Sequence, residues 1–359
     1  MNQEEARTQS LQEELEPVKR LTKDLIEATK TLTPKEIRYL VNSYYDLQHF
    51  RTIAANQARA LTSTEQPCSA ITWLYDQHRT LEAQVKRALA GWVEGRDIGK
   101  WLTSITGVGP CISAGLLAHI DIERAPTAGH IWRLSGLDPS LRWWSAEDAR
   151  KLVAEVVGAE DKSKITLEAH LQPIADRMNL RATTLQERMN FLDEGAKPSA
   201  ELLKKAISLC PWNQKLKVLT YKAGDCFVKF QNNEKDHYGR VYVRRKAEES
   251  VRNVKGEYAE QAERILREKK IGKGTEAYKA YSVGQLPPGH LHSRAQRYAV
   301  KLFLSHVQCA MHWDRYGQLP AAPFAIGQLG HAHYFAPPNA NLLEGFEQAL
   351  KDAGAQGIR

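Results

Sequence analysis

Cysteine is scarce in this chain. There are five in 359 residues (Cys68, Cys111, Cys210, Cys226 and Cys309), odd in number and far apart. No two stand at the C-x-x-C spacing of a zinc site or a redox dithiol, so they read as buried thiols of a reducing compartment. Long apolar runs are missing as well, which leaves no window of membrane-span length. Met1 to Glu14 is polar and acidic and has neither the order of a signal peptide nor the Arg-rich character of a transit peptide. These absences lead to the expectation of a cytoplasmic protein with no membrane partner. Alternating β-branched runs are also absent, Tyr242-Val243 being the nearest approach, so little is available to build strands. The expected fold class is mostly α.

Basic charge is present in surplus. Lys and Arg number 50 against 42 Asp and Glu, a formal net charge of +8, and the pI is near 9.1. Such a balance suits a polyanionic partner without fixing a fold. The surplus concentrates in segments such as Arg240 to Arg252 and Arg264 to Lys273, for which a solvated helix face is the alternative reading.

Residues 1–95 read as a helical arm. Thr33-Pro34-Lys35-Glu36 has the form of a capping box with proline at the first helical position, and Ile37, Leu40, Val41, Tyr44 and Leu47 then recur at helical spacing. A further helix is expected from Ser69 to Glu94, and pairing of two copies through the arm is an expectation. Residues 96–144 form a hairpin module. Residues 145–208 read as a small inserted helical domain. In it Ile174 to Met178, a turn at Asn179-Leu180 and Arg181 to Asn190 have a helix-turn-helix rhythm, with Arg181, Thr183, Thr184, Gln186 and Arg188 set to face a groove. Residues 209–359 read as a C-terminal helical part in which Lys273 to Pro288 is a loop, a helix runs from His292 to Tyr316 and an irregular tail follows.

The hairpin module carries the most information. Ile105-Thr106-Gly107-Val108-Gly109-Pro110 lies between a short helical pattern and the apolar run Cys111 to Ile120. Two glycines with no Cβ let backbone amides approach a phosphate, and those amides sit at a helix N-terminus, which favours an anion. Ser104 and Thr106 supply hydroxyls beside it. A helix, a Gly-Val-Gly hairpin and a second helix is the form of a helix-hairpin-helix clamp on a DNA backbone. A tight turn between any two helices is the alternative.

A second polar cluster lies farther along. Arg294, Arg297 and Lys301 stand at i, i+3 and i+7 on one face, with His290 and His292 just before them. The basic residues suit phosphate contact, and the histidines suit acid-base work, capping or stacking. His331 and His333, spaced i, i+2, would hold a metal only on an extended chain, and no metal site is expected. A site is expected where the hairpin module meets this helix, lined by His130, Arg133, Asp138, His290, His292, Arg294 and Arg297. Asp138 would be a general base there, or simply a helix-terminating turn residue.

Gly107-Val108-Gly109-Pro110, the apolar helix and Gly136-Leu137-Asp138-Pro139 together resemble the C-terminal domain of bridge-RNA-guided insertion-sequence transposases. The resemblance implies DNA strand processing and, by spacing, a nucleophilic serine at Ser145, with Ser140 second, although Ala146 stands where glycine is usual. That family's other half is RNase H-like, with four metal-binding carboxylates on a sheet, whereas the residues before this hairpin read as helices. The hairpin followed by His130-Ile131-Trp132-Arg133 is also similar to helix-hairpin-helix DNA glycosylases, but their catalytic aspartate falls here on Ala128.

The expected partner is double-stranded DNA, bound through Ser104, Thr106, Gly107, Val108, Gly109, Arg133, Arg294, Arg297 and Lys301, with a flipped base as an option. The expected function is a transposase-related DNA-processing or DNA-modifying enzyme of a phage or mobile element. One alternative is a glycosylase-scaffold transferase that attaches amino-acid or amine groups to activated thymine, and another is a non-catalytic architectural protein. The sequence identifies no cofactor.

Overall fold

The structure, a computed structural model, describes residues 23–64, 66, 68–158, 165–195, 197–321 and 335–354. Sixteen α-helices and no strand occur among the described residues. The chain divides into two compact units, residues 1–127 with 221–359, and residues 128–220. No helix among the described residues is long and apolar enough to cross a membrane.

The first unit begins with α1 (Lys23–Thr29), α2 (Pro34–Ser63) and α3 (Ser69–Glu94). The expected capping box starts α2: Thr33 Oγ1 accepts from Glu36 N, and Glu36 returns a carboxylate oxygen to Thr33 N at 2.8 Å. Helices α2 and α3 pack antiparallel, since Gln48 and Arg51 reach Glu82 and Phe50 stacks on His78, while Thr29 at the end of α1 donates to Ala88 O of α3 at 3.2 Å. Trp92, read as core, is 2% exposed and donates its indole N–H to the Leu32 carbonyl at 2.9 Å. Tyr39, Phe50, Ile53 and Leu74 stay exposed along the arm.

Helix α4 (Asp97–Thr103) leads through Ser104–Gly109 into α5 (Pro110–His119). Cys111 to Leu116 and Ala118 are all buried, so α5 is apolar around its circumference and packs centrally against α2, α3 and α4. Its N-terminus therefore has a fixed position and direction.

Helix α6 (Ala128–Leu134) opens the second unit, which continues with α7 (Ala146–Val157), a π-helical turn at Leu167–Leu171, α8 (Gln172–Met178), α9 (Ala182–Leu192) and α10 (Ala200–Ser208). Its core includes Leu152, Val153, Ile174, Leu185, Leu203 and Ile207. Asn179 closes α8 in the left-handed conformation, at the place where the sequence suggests a turn. Gly136 (φ +67) ends α6, with Leu137 N donating to Trp132 O, and Trp212 fills the space a Cβ would need.

Helix α11 (Gln214–Lys229) starts in the second unit and finishes in the first. The first unit then holds α12 (His237–Val254), α13 (Ala259–Glu268), α14 (Glu276–Ser282), α15 (Pro288–Tyr316), a 3₁₀ turn at Ala340–Leu342 and α16 (Phe346–Asp352). Tyr242-Val243 is part of α12, in keeping with the mostly α expectation. Two expectations change here. The expected loop contains α14, because Thr275 caps it by accepting from Tyr278 N at 3.2 Å. Helix α15 starts at Pro288, where proline is suited to the first turn, so His290 and His292 are helical. His331 and His333 lie outside the described residues.

Candidate nucleic-acid interface

Gly107 has φ +86, and a Cβ there would lie 2.8 Å from Cys226 Cβ, so both conformation and packing call for glycine. Val108 is 2% exposed, with its amide bonded to Ile105 O at 2.9 Å, so the valine anchors the turn from inside. Gly109 differs from Gly107. Its backbone is extended (φ −83, ψ 176), and nothing lies within 4 Å of a built Cβ. It is the N-cap of α5 and offers no side chain to the first turn, and the N–H groups of Cys111 and Ile112 have no carbonyl partner among the described residues.

The two hydroxyls expected to assist are occupied. Ser104 Oγ donates to Trp101 O at 2.6 Å and accepts from Asn339 Nδ2 at 2.9 Å, and Thr106 Oγ1 donates to Lys235 O at 3.2 Å. Both brace the hairpin, the first against the 3₁₀ turn region and the second against the loop before α12.

A pocket of about 350 Å³ adjoins the start of α5, lined by Gly109 to Ile112, by Tyr44, Tyr45 and Gln48 of α2, by Lys86 of α3, and by Lys222, Asp225, Cys226 and Lys229 of α11. The sequence reading missed the lysines. Lys222 and Lys229 stand seven apart and so share a helix face, which was the available signal. Lys222 Nζ lies 4.3 Å from the centre of the Tyr45 ring, and Lys229 approaches Asp225 at 3.8 Å. Burial pushes the Cys111 thiol up to about 11 and raises Cys226 as well, so neither brings negative charge to the pocket at neutral pH.

The cluster on α15 is built differently. Glu249 of α12 is 1% exposed and accepts from Arg294 Nε at 2.6 Å, from Arg245 Nη2 at 2.6 Å and from the Tyr258 hydroxyl. Burial alone would raise the Glu249 carboxyl, but bonds from Arg294 and Tyr258 outweigh it and hold it below the ordinary range. Arg294 also lies 4.6 Å over the Tyr258 ring. Its guanidinium thus ties α12, α13 and α15 together and has little left for a phosphate. His292 Nδ1 pairs with Tyr242 Oη at 2.8 Å, and His290 with Tyr281 Oη at 3.3 Å. Burial, with Arg294 and Arg297 nearby, lowers His290. Arg297 is exposed, and Lys301 is half-buried.

His130, Arg133, Asp138 and Ser145 belong to the second unit, and the α15 residues to the first. His130 is exposed. Arg133 donates to Asn179 O at 3.2 Å and stands 4.0 Å from Asp138. Asp138 accepts from Ser140 N at 2.9 Å and Ser140 Oγ at 2.7 Å, which is how an aspartate holds a turn. Ser145 is the N-cap of α7 and accepts from Asp148 N at 3.0 Å. Arg188 of the helix-turn-helix-like pair donates to Ala206 O at 3.3 Å, inside its own unit. No group of three or more His, Cys, Asp or Glu able to hold a metal ion occurs among the described residues.

Residues 99–152 match the model of the Transposase IS116/IS110/IS902 family. The match begins inside α4 and takes in the hairpin, α5, α6 and the first half of α7, and therefore Gly107, Gly109, Asp138 and Ser145. No curated protein and no solved structure matches the chain. The family match supports a relation to the C-terminal part of such transposases and is compatible with a transposase-related DNA-processing protein.

Proposed function

We propose that this chain binds DNA through its phosphates at the start of α5 and works in transposase-related DNA processing. The observation that carries the reading is the conjunction at Gly109. An open N-cap, whose Cys111 and Ile112 amides have no carbonyl partner among the described residues, adjoins a pocket carrying Lys86, Lys222 and Lys229. Backbone donors, a helix dipole and ammonium groups all act on an anion there in the same direction. Phosphate contact sets position without reading sequence, so affinity is largely sequence-independent and falls steeply with salt as counterions are released. Val108 and Gly107 hold the hairpin in shape, Gly109 and the amides meet the ligand, and Arg297 and Lys301 add charge along α15.

Gly109→Glu tests this directly. The added side chain meets open space and an ordinary φ, so the fold is kept while a carboxylate enters the anion site. Duplex affinity measured by fluorescence anisotropy drops at least tenfold, the loss of about one charge-assisted hydrogen bond or more. Unchanged affinity in a folded variant would overturn the reading.

A further inference from the structure

The pocket beside the hairpin is a recess, and its charge exceeds what an internal phosphate needs. Helices α2, α3 and α11 supply its walls and the start of α5 the remaining side. Its lining holds three ammonium groups and one carboxylate, Asp225, which leaves a net charge of two. Asp225 is itself engaged, by Lys229 at 3.8 Å and by Gln296 Nε2 at 3.3 Å. Lys86 has no ion-pair partner among the described residues. A phosphodiester inside a strand carries one negative charge, whereas a terminal phosphate monoester carries about 1.5 to 2 at neutral pH and has three outward oxygens. A volume of about 350 Å³ suits a group of nucleotide size. Tyr44 and Tyr45 stand on the α2 wall, and Gln48 lies one turn along.

We infer that the pocket formed by the start of α5 with Lys86, Lys222 and Lys229 receives the terminal phosphate of a DNA strand. The inference rests on the reading that the hairpin binds DNA phosphate, and it names the form of phosphate taken. The Cys111 and Ile112 amides and the lysines donate to the monoester oxygens, and the tyrosines flank the terminal nucleoside. A continuous backbone presents only diesters to the recess, so strand ends are preferred over closed duplex.

The test uses the full chain and five labelled duplexes of one sequence. Four end in phosphate or hydroxyl at the 5′ or the 3′ terminus, and the fifth is a dumbbell closed at both ends by loops. A phosphorylated end, 5′ or 3′, binds about tenfold tighter than its hydroxyl counterpart, the ratio for one additional charge-assisted contact. In the double variant Lys86→Gln with Lys222→Gln that ratio falls to within about twofold. Circular dichroism checks that the variant is folded, and Lys86→Gln alone, at an exposed position, gives the same direction. Equal affinity for phosphate and hydroxyl at both termini overturns the inference while leaving hairpin binding intact, as does a dumbbell that binds as well as the phosphorylated ends. If no duplex binds in a salt-dependent way, the hairpin reading itself falls.

Discussion

At the scale of single residues, Gly107 and Gly109 have opposite jobs despite their identical side chains. Gly107 needs a left-handed backbone and lies against Cys226 and Phe230, while Gly109 needs neither special torsion nor space. Gly107→Ala therefore costs roughly 2 kcal/mol, from a left-handed φ on an L-residue together with a packing clash. It lowers the thermal midpoint by several degrees, whereas Gly109→Ala leaves the midpoint near wild type. Equal midpoints for the two variants would contradict the geometry. The sequence could pick out both glycines but could not separate them, because the distinction depends on α11, more than a hundred residues away in the chain. The same limit affects Arg294. Its spacing with Arg297 and Lys301 suggests a phosphate grip, but its partner Glu249 is buried on another helix, a fact that no local pattern carries. In the sequence Asp138 reads either as a general base or as a turn residue, and Ser145 as a nucleophile only through the family resemblance; in the structure Asp138 braces a turn and Ser145 caps α7.

Whole elements were easier to read. Helix α3 runs over the expected Ser69–Glu94, the capping box at Thr33 is present, and α6 ends at Gly136 ahead of Pro139, since caps and period are local signals. The short α14 escaped because seven residues among glycines and prolines give no period. Helix α12 carries a device that the sequence did not reveal. Its N-cap, Asp236, is fully buried, accepts from Gly239 N at 2.9 Å and is pushed up to about 6 by burial, against backbone bonds and Arg240 that pull it down. Beside it, burial, with Arg240 and Arg244 adding to it, lowers His237 to about 4. On α15, burial and the neighbouring His237 lower His306 to about 3, against the Phe335 carbonyl, while its Nδ1 pairs with Tyr238 Oη at 2.8 Å. The histidines stay below their ordinary 6.5 in the folded chain, so the unfolded chain takes up protons first as pH falls, and stability drops from about 6.5 downward. Asp236 works the other way, since between 6 and its ordinary 3.8 the folded chain holds the extra proton and gains stability on acidification. Two histidines against one carboxylate leave a net loss. The thermal midpoint should fall between pH 7 and pH 5, and His306→Gln should flatten that fall. A midpoint that rises on acidification would place the dominant titration elsewhere.

For the whole molecule, the informative fact is that one compact unit is inserted into the sequence of the other. Both glycines, all three pocket lysines and α15 belong to the outer unit, so the proposed phosphate site needs nothing from residues 128–220. The inserted unit has its own core, from Ala149 to Ile207, with Leu171, Ile174, Leu185, Leu203 and Ile207 each 1% exposed or less. About ninety residues with such a core exceed the size below which small domains need disulfides or metals to fold. A fragment of residues 128–220 should therefore give a helical circular dichroism spectrum and a cooperative thermal transition. It should bind duplex DNA at least tenfold more weakly than the full chain at the same salt, because it lacks the open start of α5 and the lysines Lys86, Lys222 and Lys229 beside it. A fragment that binds as tightly as the whole chain would move the principal DNA contact to α8 and α9. In that case the exposed Arg181 at the head of α9 becomes the first residue to replace.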